Sequence, residues 1–289
     1  MIIFFTINQN FDIAIPDSFL YGNTSDIDRS FKIFQLARTL SIFRVENLFI
    51  FHDKIINPPK VEINFIMTLL EYLDTPQYLR KKLYPKMDIL KYAGKLHPIR
   101  SIHHKDKVSL ENIKNGEARI GVLEKKGNSF FVDVGLDSLV KYQGNIKQQG
   151  KKINVKLMKK NNLLTAMDVK REDINEIYWG YKVFYSNFVY DVLKRYPRSK
   201  IILTSRYSEY FRNDSEFAYN IKNGVNTNDT ILIVFGSPKF GLIEIFDKEK
   251  INITNYDSFN FFPYQGTQTV RLEESIFGVL SILNNLANS

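Results

Sequence analysis

The strongest constraint on the fold is a short apolar run, residues 230–235 (Thr-Ile-Leu-Ile-Val-Phe), that opens into Gly236-Ser-Pro-Lys-Phe-Gly241. A buried strand that releases into a Gly/Pro turn is the place where an open α/β sheet builds ligand crevices. Residues 260–271 form a second turn, rich in small hydrogen-bonding side chains and ending directly at a helix start. The helix carries Leu272, Ile276, Val279, Leu280, Leu283 and Leu286, the spacing of one helical face. Its apolar stripe serves equally as core or as an interface. Two such turns side by side surround a small polar ligand with mostly backbone groups.

The remaining pattern supports a parallel sheet with helices packed on it. Residues 2–7 read as a buried strand, and residues 12–23, with Pro16 and Gly22, as a loop. Asp26 is expected to cap a helix with Ile27, Phe31, Phe34, Ala37, Leu40 and Phe43 at helical spacing. A strand over 45–51 and a helix over about 61–73 follow, giving β-loop-α-β-α. After Pro85 the runs shorten (118–122, 130–134, 152–156, 163–167) and turn residues separate them. That texture predicts a small inserted barrel of the five-stranded OB type. Residues 179–196 then read as a helix stopped by Pro197, and 200–205 as a strand leading into a polar turn.

Charge is concentrated in the insert. Residues 80–160 hold 20 of the 40 Lys and Arg but only 7 of the 31 Asp and Glu, a balance of +13 that leaves −4 elsewhere. A basic module on a mildly acidic body points to a polyanion, RNA or DNA, with a plain solubilising surface as the alternative. The chain has no cysteine, which excludes disulfides and thiolate–zinc sites and fits a cytoplasmic protein. No apolar run is long enough to span a bilayer, and the N-terminal residues lack the features of a signal peptide. His97, His103 and His104 are read as exposed loop histidines, and no metal is expected. G-x-G-x-x-G, P-loop, H-E-x-x-H and G-x-S-x-G motifs are absent.

Several ordered blocks carry a resemblance. They are residues 13–18 (Ile-Ala-Ile-Pro-Asp-Ser), 34–38 (Phe-Gln-Leu-Ala-Arg), 77–85, 90–98, Thr204-Ser205-Arg206, 235–238, 241–244 and 260–274. Together they resemble the SPOUT (α/β-knot) RNA methyltransferases, in the archaeal–eukaryotic subfamily with an OB-like insert. The chain departs from that pattern at Arg206-Tyr207, where family members often carry an acidic residue and glycine. The resemblance implies a trefoil-knotted α/β domain, a mostly parallel sheet with helices on both faces, over residues 1–84 and 174–289. A basic RNA-binding barrel over 85–173 is inserted in it.

The resemblance also implies S-adenosyl-L-methionine held by three loops. These carry Thr204 and Ser205; Phe235, Gly236, Ser237, Pro238, Gly241 and Leu242; and Asn260, Pro263, Gln265, Gly266, Thr267, Thr269 and Val270. Arg38, Arg271 and Glu273, or Glu274 in its place, are expected on the acceptor side as binding and base or orienting groups. RNA is expected to meet Arg29, Lys32, Arg80, Lys95, Arg100, Arg119, Lys125, Lys126 and Lys156. The implied protein is a homodimeric, cytoplasmic methyltransferase of structured RNA, with ribosomal RNA and a uridine base nitrogen as substrate and acceptor. The alternatives are a non-catalytic RNA-binding or ribosome-assembly protein on the same scaffold, or a DNA-binding module.

Overall fold

A computed structural model describes residues 9–23, 25–160, 163–223 and 230–288, so the strand expected over 2–7 lies outside the described residues. The strands in chain order are β1 (Phe11–Pro16), β2 (Asn47–Phe51), β3 (Ala118–Lys126), β4 (Ser129–Asp133), β5 (Val140–Tyr142), β6 (Lys152–Lys160), β7 (Leu163–Asp168), β8 (Lys182–Ser186), β9 (Ile201–Thr204), β10 (Ile231–Val234) and β11 (Asp257–Phe259). The α-helices are α1 (Asp26–Ile42), α2 (Lys60–Asp74), α3 (Gln77–Leu83), α4 (Val189–Leu193), α5 (Glu216–Lys222), α6 (Leu242–Lys248) and α7 (Leu272–Ala287). They fall into two units, one over residues 1–71, 92–97 and 181–289, the other over 72–91 and 98–180.

In the first unit six strands form one parallel sheet in the order β11-β9-β10-β1-β2-β8. Every residue of β1 and of β10 is buried, as expected of central strands covered on both faces. One face, with Ala14, Phe49, Leu203, Leu232 and Val234, packs on Val189 and Val192 of α4 and on Leu242, Ile245 and Phe246 of α6. The alternate residues Ile13, Ile15, Leu48, Ile202 and Ile233 point the other way and are also fully buried. The helices α1 and α7 pack together. The expected stripe of α7 from Leu272 to Leu286 is buried within this unit, which contributes on the order of 10 kcal/mol of gross hydrophobic stabilisation. Because the strands are parallel, all of their carboxyl ends share one edge. That edge positions the candidate site.

Three local expectations are corrected. Residues 11–16 are the central strand β1, not a loop. Asp12 is tolerated there because its carboxylate accepts hydrogen bonds from the Asn47 backbone N–H (2.9 Å), from Asn47 Nδ2 and from the Tyr196 hydroxyl (2.6 Å). Pro16 sits at the strand's last position, where its missing N–H costs little. Residues 179–196 are not one helix: Gly180 adopts φ +87°, a left-handed conformation that stops a helix, and β8 and the short α4 follow. Asp26 is the first residue of α1 rather than its cap, which is Ser25.

The second unit contains a closed five-stranded barrel in the order β3-β4-β5-β7-β6, with β6 pairing back to β3. All pairings are antiparallel except β5 with β7. Its interior is filled by Leu123, Val132, Val155, Leu157 and Ala166. Gly121 in β3 makes closure possible, since a Cβ there would lie 2.4 Å from Val132 Cγ2 and 2.9 Å from the Asp133 carbonyl. Among the described residues no helix is long and apolar enough to cross a membrane.

Candidate functional site

The carboxyl ends of β9, β10 and β11 each release a loop, and side-chain hydrogen bonds tie the three together. Thr204 Oγ1 donates to the Val234 carbonyl (3.0 Å), joining the end of β9 to the end of β10. The Ser205 N–H donates to the Phe259 carbonyl (3.1 Å). Asn260 Nδ2 donates to the Arg206 carbonyl (3.0 Å), and Asn260 Oδ1 accepts from the Phe262 N–H (2.9 Å). Asn260 is buried, so its amide ties the first loop to the third. The middle loop is closed on itself, because Ser237 Oγ accepts from the Phe240 N–H (2.8 Å).

Between these loops lies an open cavity of about 200 Å³. The cofactor residues expected above all line it except Leu242, Pro263, Gly266 and Thr267. Leu242 is fully buried in the core beneath, at the first position of α6. Gly266 faces open space, so nothing in the protein demands a glycine there. Gly236 is different: a Cβ would stand 3.1 Å from the Phe240 carbonyl and 3.2 Å from Gly241, filling the cradle of the turn. Phe261 and Phe262, inside the expected third loop but not singled out, also line the cavity, and Ser275 and Val279 of α7 escape sequence reading as site residues. Phe262 reaches its place because Gly278 of α7 leaves room; a Cβ there would lie 2.5 Å from the ring. Aromatic walls, hydroxyl and amide groups and close backbone suit a ligand that joins an apolar ring system to polar substituents.

The acceptor-side residues are not gathered in this cavity. Arg271 is exposed and is the N-cap of α7, next to the lining residues Val270 and Leu272. Glu274 accepts a hydrogen bond from the Arg271 N–H (2.9 Å), half of a capping box, so its carboxylate has a structural task. Glu273 is mostly buried 3.3 Å from Lys32 Nζ, although its Oε2 accepts no aligned hydrogen bond. Arg38 is half-buried on α1.

Of the expected RNA contacts, Lys32 and Arg119 are corrected to structural pairs, and Arg29 is half-buried with partners of its own. Lys32 is buried against Glu273 and the Phe19 ring. Arg119, 3% exposed, donates to Glu117, to the Asp106 carbonyl and to the Val134 carbonyl. Arg29 is engaged by Asp26 and Glu62 over the Phe65 ring. Lys95, Arg100, Lys125, Lys126 and Lys156 are exposed, and Arg80 is half-buried.

Two of the three histidines depart from expectation, while His97 is exposed. His103 is fully buried and His104 half-buried. Both Nε2 atoms face the Asp74 carbonyl, at 3.0 and 2.9 Å, and must donate to it. Asp74, His103 and His104 bring one potential ligand atom each within 4.8 Å of one another, and His103 Nε2 also lies 3.1 Å from Asp74 Oδ1. Sequence reading also misses a buried pair on the sheet's carboxyl edge. Asp17 Oδ2 lies 2.7 Å from His52 Nδ1, and burial raises the Asp17 carboxyl above its ordinary range.

Comparison with known proteins gives a consistent result. A family profile described as "Putative RNA methyltransferase" matches residues 10–283. A Drosophila melanogaster protein named 28S rRNA (uridine-N(3))-methyltransferase is 27% identical, over 94% of this chain and 61% of its own length. The human protein of the same name is also 27% identical, over 94% of this chain and 77% of its own length. The chain therefore spans less than two thirds of the fly relative. Among solved structures, a "putative methylase family protein" from Neisseria gonorrhoeae has a TM-score of 0.39 at 11% identity, covering 99% of this chain and 86% of that one.

Proposed function

Because the chain belongs to the RNA methyltransferase family matched over residues 10–283, we propose that it methylates ribosomal RNA at N3 of a uridine, with S-adenosyl-L-methionine as donor. The observation that carries this reading is the cavity between the three strand-end loops, at the sheet edge where such folds bind ligands. We read the first unit as a knotted SPOUT domain, the barrel as an OB fold that grips RNA, and the working form as a cytoplasmic homodimer. Thr204, Gly236, Asn260 and Thr269 fit the donor, by backbone approach and hydrogen bonding, and Phe235, Val270 and Phe262 by apolar contact. Bound there, the donor supplies an electrophilic methyl group on a sulfonium.

The protein's part is to align the acceptor, exclude water and take the N3 proton. Arg271, exposed and next to the lining residues Val270 and Leu272, is read as a cation for the RNA or for a developing uridine anion. Arg38, half-buried on α1, is read as a second cation on the acceptor side. Glu273, paired with Lys32, orients these groups or accepts the proton.

Calorimetric titration with S-adenosyl-L-methionine is the test. Binding at roughly micromolar affinity, about −8 kcal/mol, is expected. Gly236→Val should abolish it, because the added side chain fills the turn's cradle. Methylation should then appear at uridine N3 of ribosomal RNA by mass spectrometry. No donor binding by folded protein, with or without RNA, would favour a non-catalytic RNA-binding scaffold.

A further inference from the structure

The second unit holds a cleft of about 640 Å³, distinct from the cavity at the strand ends. Its lining includes Tyr78, Arg80, Arg100, His104, Lys105 and Lys107, with Asp106 the one carboxylate residue. We propose that this cleft is a receptor for one ribose-phosphate unit of unpaired RNA, its phosphate met by Arg80 and Arg100 and its 2′-hydroxyl by Nδ1 of His104. The identity of the ligand as RNA rests on the function proposed above.

Arg80 is a preorganised cation. Its Nε donates to the Thr75 carbonyl (2.9 Å), its Nη2 to the Leu73 carbonyl (3.1 Å), and it lies over the Tyr72 ring, 4.7 Å from the centroid. Neutral carbonyls fix the guanidinium without cancelling its charge, and Nη1 remains available among the described residues. Arg100 is exposed, makes no ion pair with a described residue, and holds φ +53°. A non-glycine residue in that region is an outlier that marks functional positions. Lys105 is engaged by Glu176 at 2.9 Å, whereas Lys107 meets Asp137 only at 3.9 Å with both side chains exposed, so Arg80 and Arg100 share the uncompensated charge with Lys107.

His104 adds a different chemistry. Its Nε2 must carry the proton that bonds the Asp74 carbonyl, and burial keeps the ring neutral, so Nδ1 is a bare acceptor. A lone acceptor among cations fits a ligand that is anionic and also carries a hydroxyl donor. A ribose-phosphate unit within an RNA strand does; the matching deoxyribose-phosphate unit within DNA does not. Tyr78, whose hydroxyl donates to the Ile120 carbonyl at 2.7 Å, supplies the aromatic wall for the sugar or base.

The test uses the full chain and fluorescence anisotropy with a labelled single-stranded 12-nucleotide RNA and its DNA counterpart, over a range of salt. Arg100→Ala should weaken RNA binding about ten-fold and lower the salt slope by about 0.7, the loss of one single-strand phosphate contact. Arg100→Lys should recover most of the slope. His104→Gln, which keeps a donor for the Asp74 carbonyl, should reduce the preference for RNA over DNA and leave the slope alone. Lys60→Ala, at the start of α2 and outside the cleft, serves as the comparison for a generic surface cation. Arg100→Ala no weaker than Lys60→Ala, an unchanged RNA/DNA ratio in His104→Gln, or competition by inorganic phosphate as effective as uridine monophosphate would each overturn the proposal. Donor titration of the same samples separates the two readings: donor binding lost with RNA binding intact defeats the methyltransferase reading and leaves the cleft standing.

Discussion

His104 stands out among single residues because its environment works against its charge. Burial, then the neighbouring His103, hold its pKa down at about 3, against 6.5 for a free ring. Between these values the unfolded chain binds a proton that the folded chain refuses, so stability falls as pH falls through that window. Taking the protein from pH 7.5 to 5.0 should cost about 2 kcal/mol from this group alone. Asp12 and Asp17 act oppositely: burial raises both, so the folded chain takes up their protons first and gains stability as pH falls through the range just above ordinary carboxylate titration. Urea unfolding at the two pH values should show the wild-type loss, and His104→Gln should remove most of it. An equal loss in the variant would assign the acid sensitivity elsewhere. None of this was legible in the sequence. The partner of His104 is Asp74, and Gly180, which packs on both Asp74 and His103, is distant in the chain.

At the scale of elements, strands with a uniform apolar run and helices with one stripe were legible, and those with a polar interruption were not. β10 and α7 stand where the pattern put them. β1 was hidden by Asp12 and Pro16, whose costs are met by Asn47, Tyr196 and the strand's end. β8 is one of the two edge strands, only partly buried along most of its length, and so lacks both the continuous run and the clean alternation that betray a strand. The site's loops were legible as loops, but Phe262 and Gly278 were not legible as a pair, because their contact joins a loop to the middle of α7.

That contact yields a prediction. Gly278→Ala should favour the helix by up to about 1 kcal/mol through propensity, yet push the Phe262 ring off the cavity wall. Donor affinity should drop about ten-fold, or about 1.4 kcal/mol, and Phe262→Leu in the same chain should restore part of it. Full affinity in Gly278→Ala would mean that the ring is not part of the donor wall. The start of α7 gives a contrasting case. Glu274→Ala removes the acceptor for the Arg271 N–H and should cost about 1 kcal/mol of stability with donor affinity unchanged. A selective loss of methyl transfer at normal stability would instead return Glu274 to the chemistry.

For the whole molecule the ruling feature is the separation of charge: +13 over residues 80–160 and −4 over the rest. The two proposed ligands should therefore respond differently to salt. RNA binding releases counterions from every phosphate the protein neutralises, whereas a small donor seated between strand-end loops by backbone and apolar contacts releases almost none. If four exposed cations, such as Arg100, Lys125, Lys126 and Lys156, each meet a phosphate, raising salt from 50 to 200 mM should weaken single-stranded RNA about fifty-fold. Donor affinity over the same range should stay within about two-fold if backbone and apolar contacts hold the donor and the exposed Arg206, Lys239 and Glu244 of the lining do not pair with it. Anisotropy for the RNA and calorimetry for the donor, in matched buffers, provide the comparison. A flat response for RNA would mean that the excess charge is a solubilising surface, and that the grip on RNA comes from stacking and hydrogen bonding. A steep response for the donor would instead place exposed cations such as Lys239 and Arg206, at the rim of the cavity, in direct contact with its carboxylate.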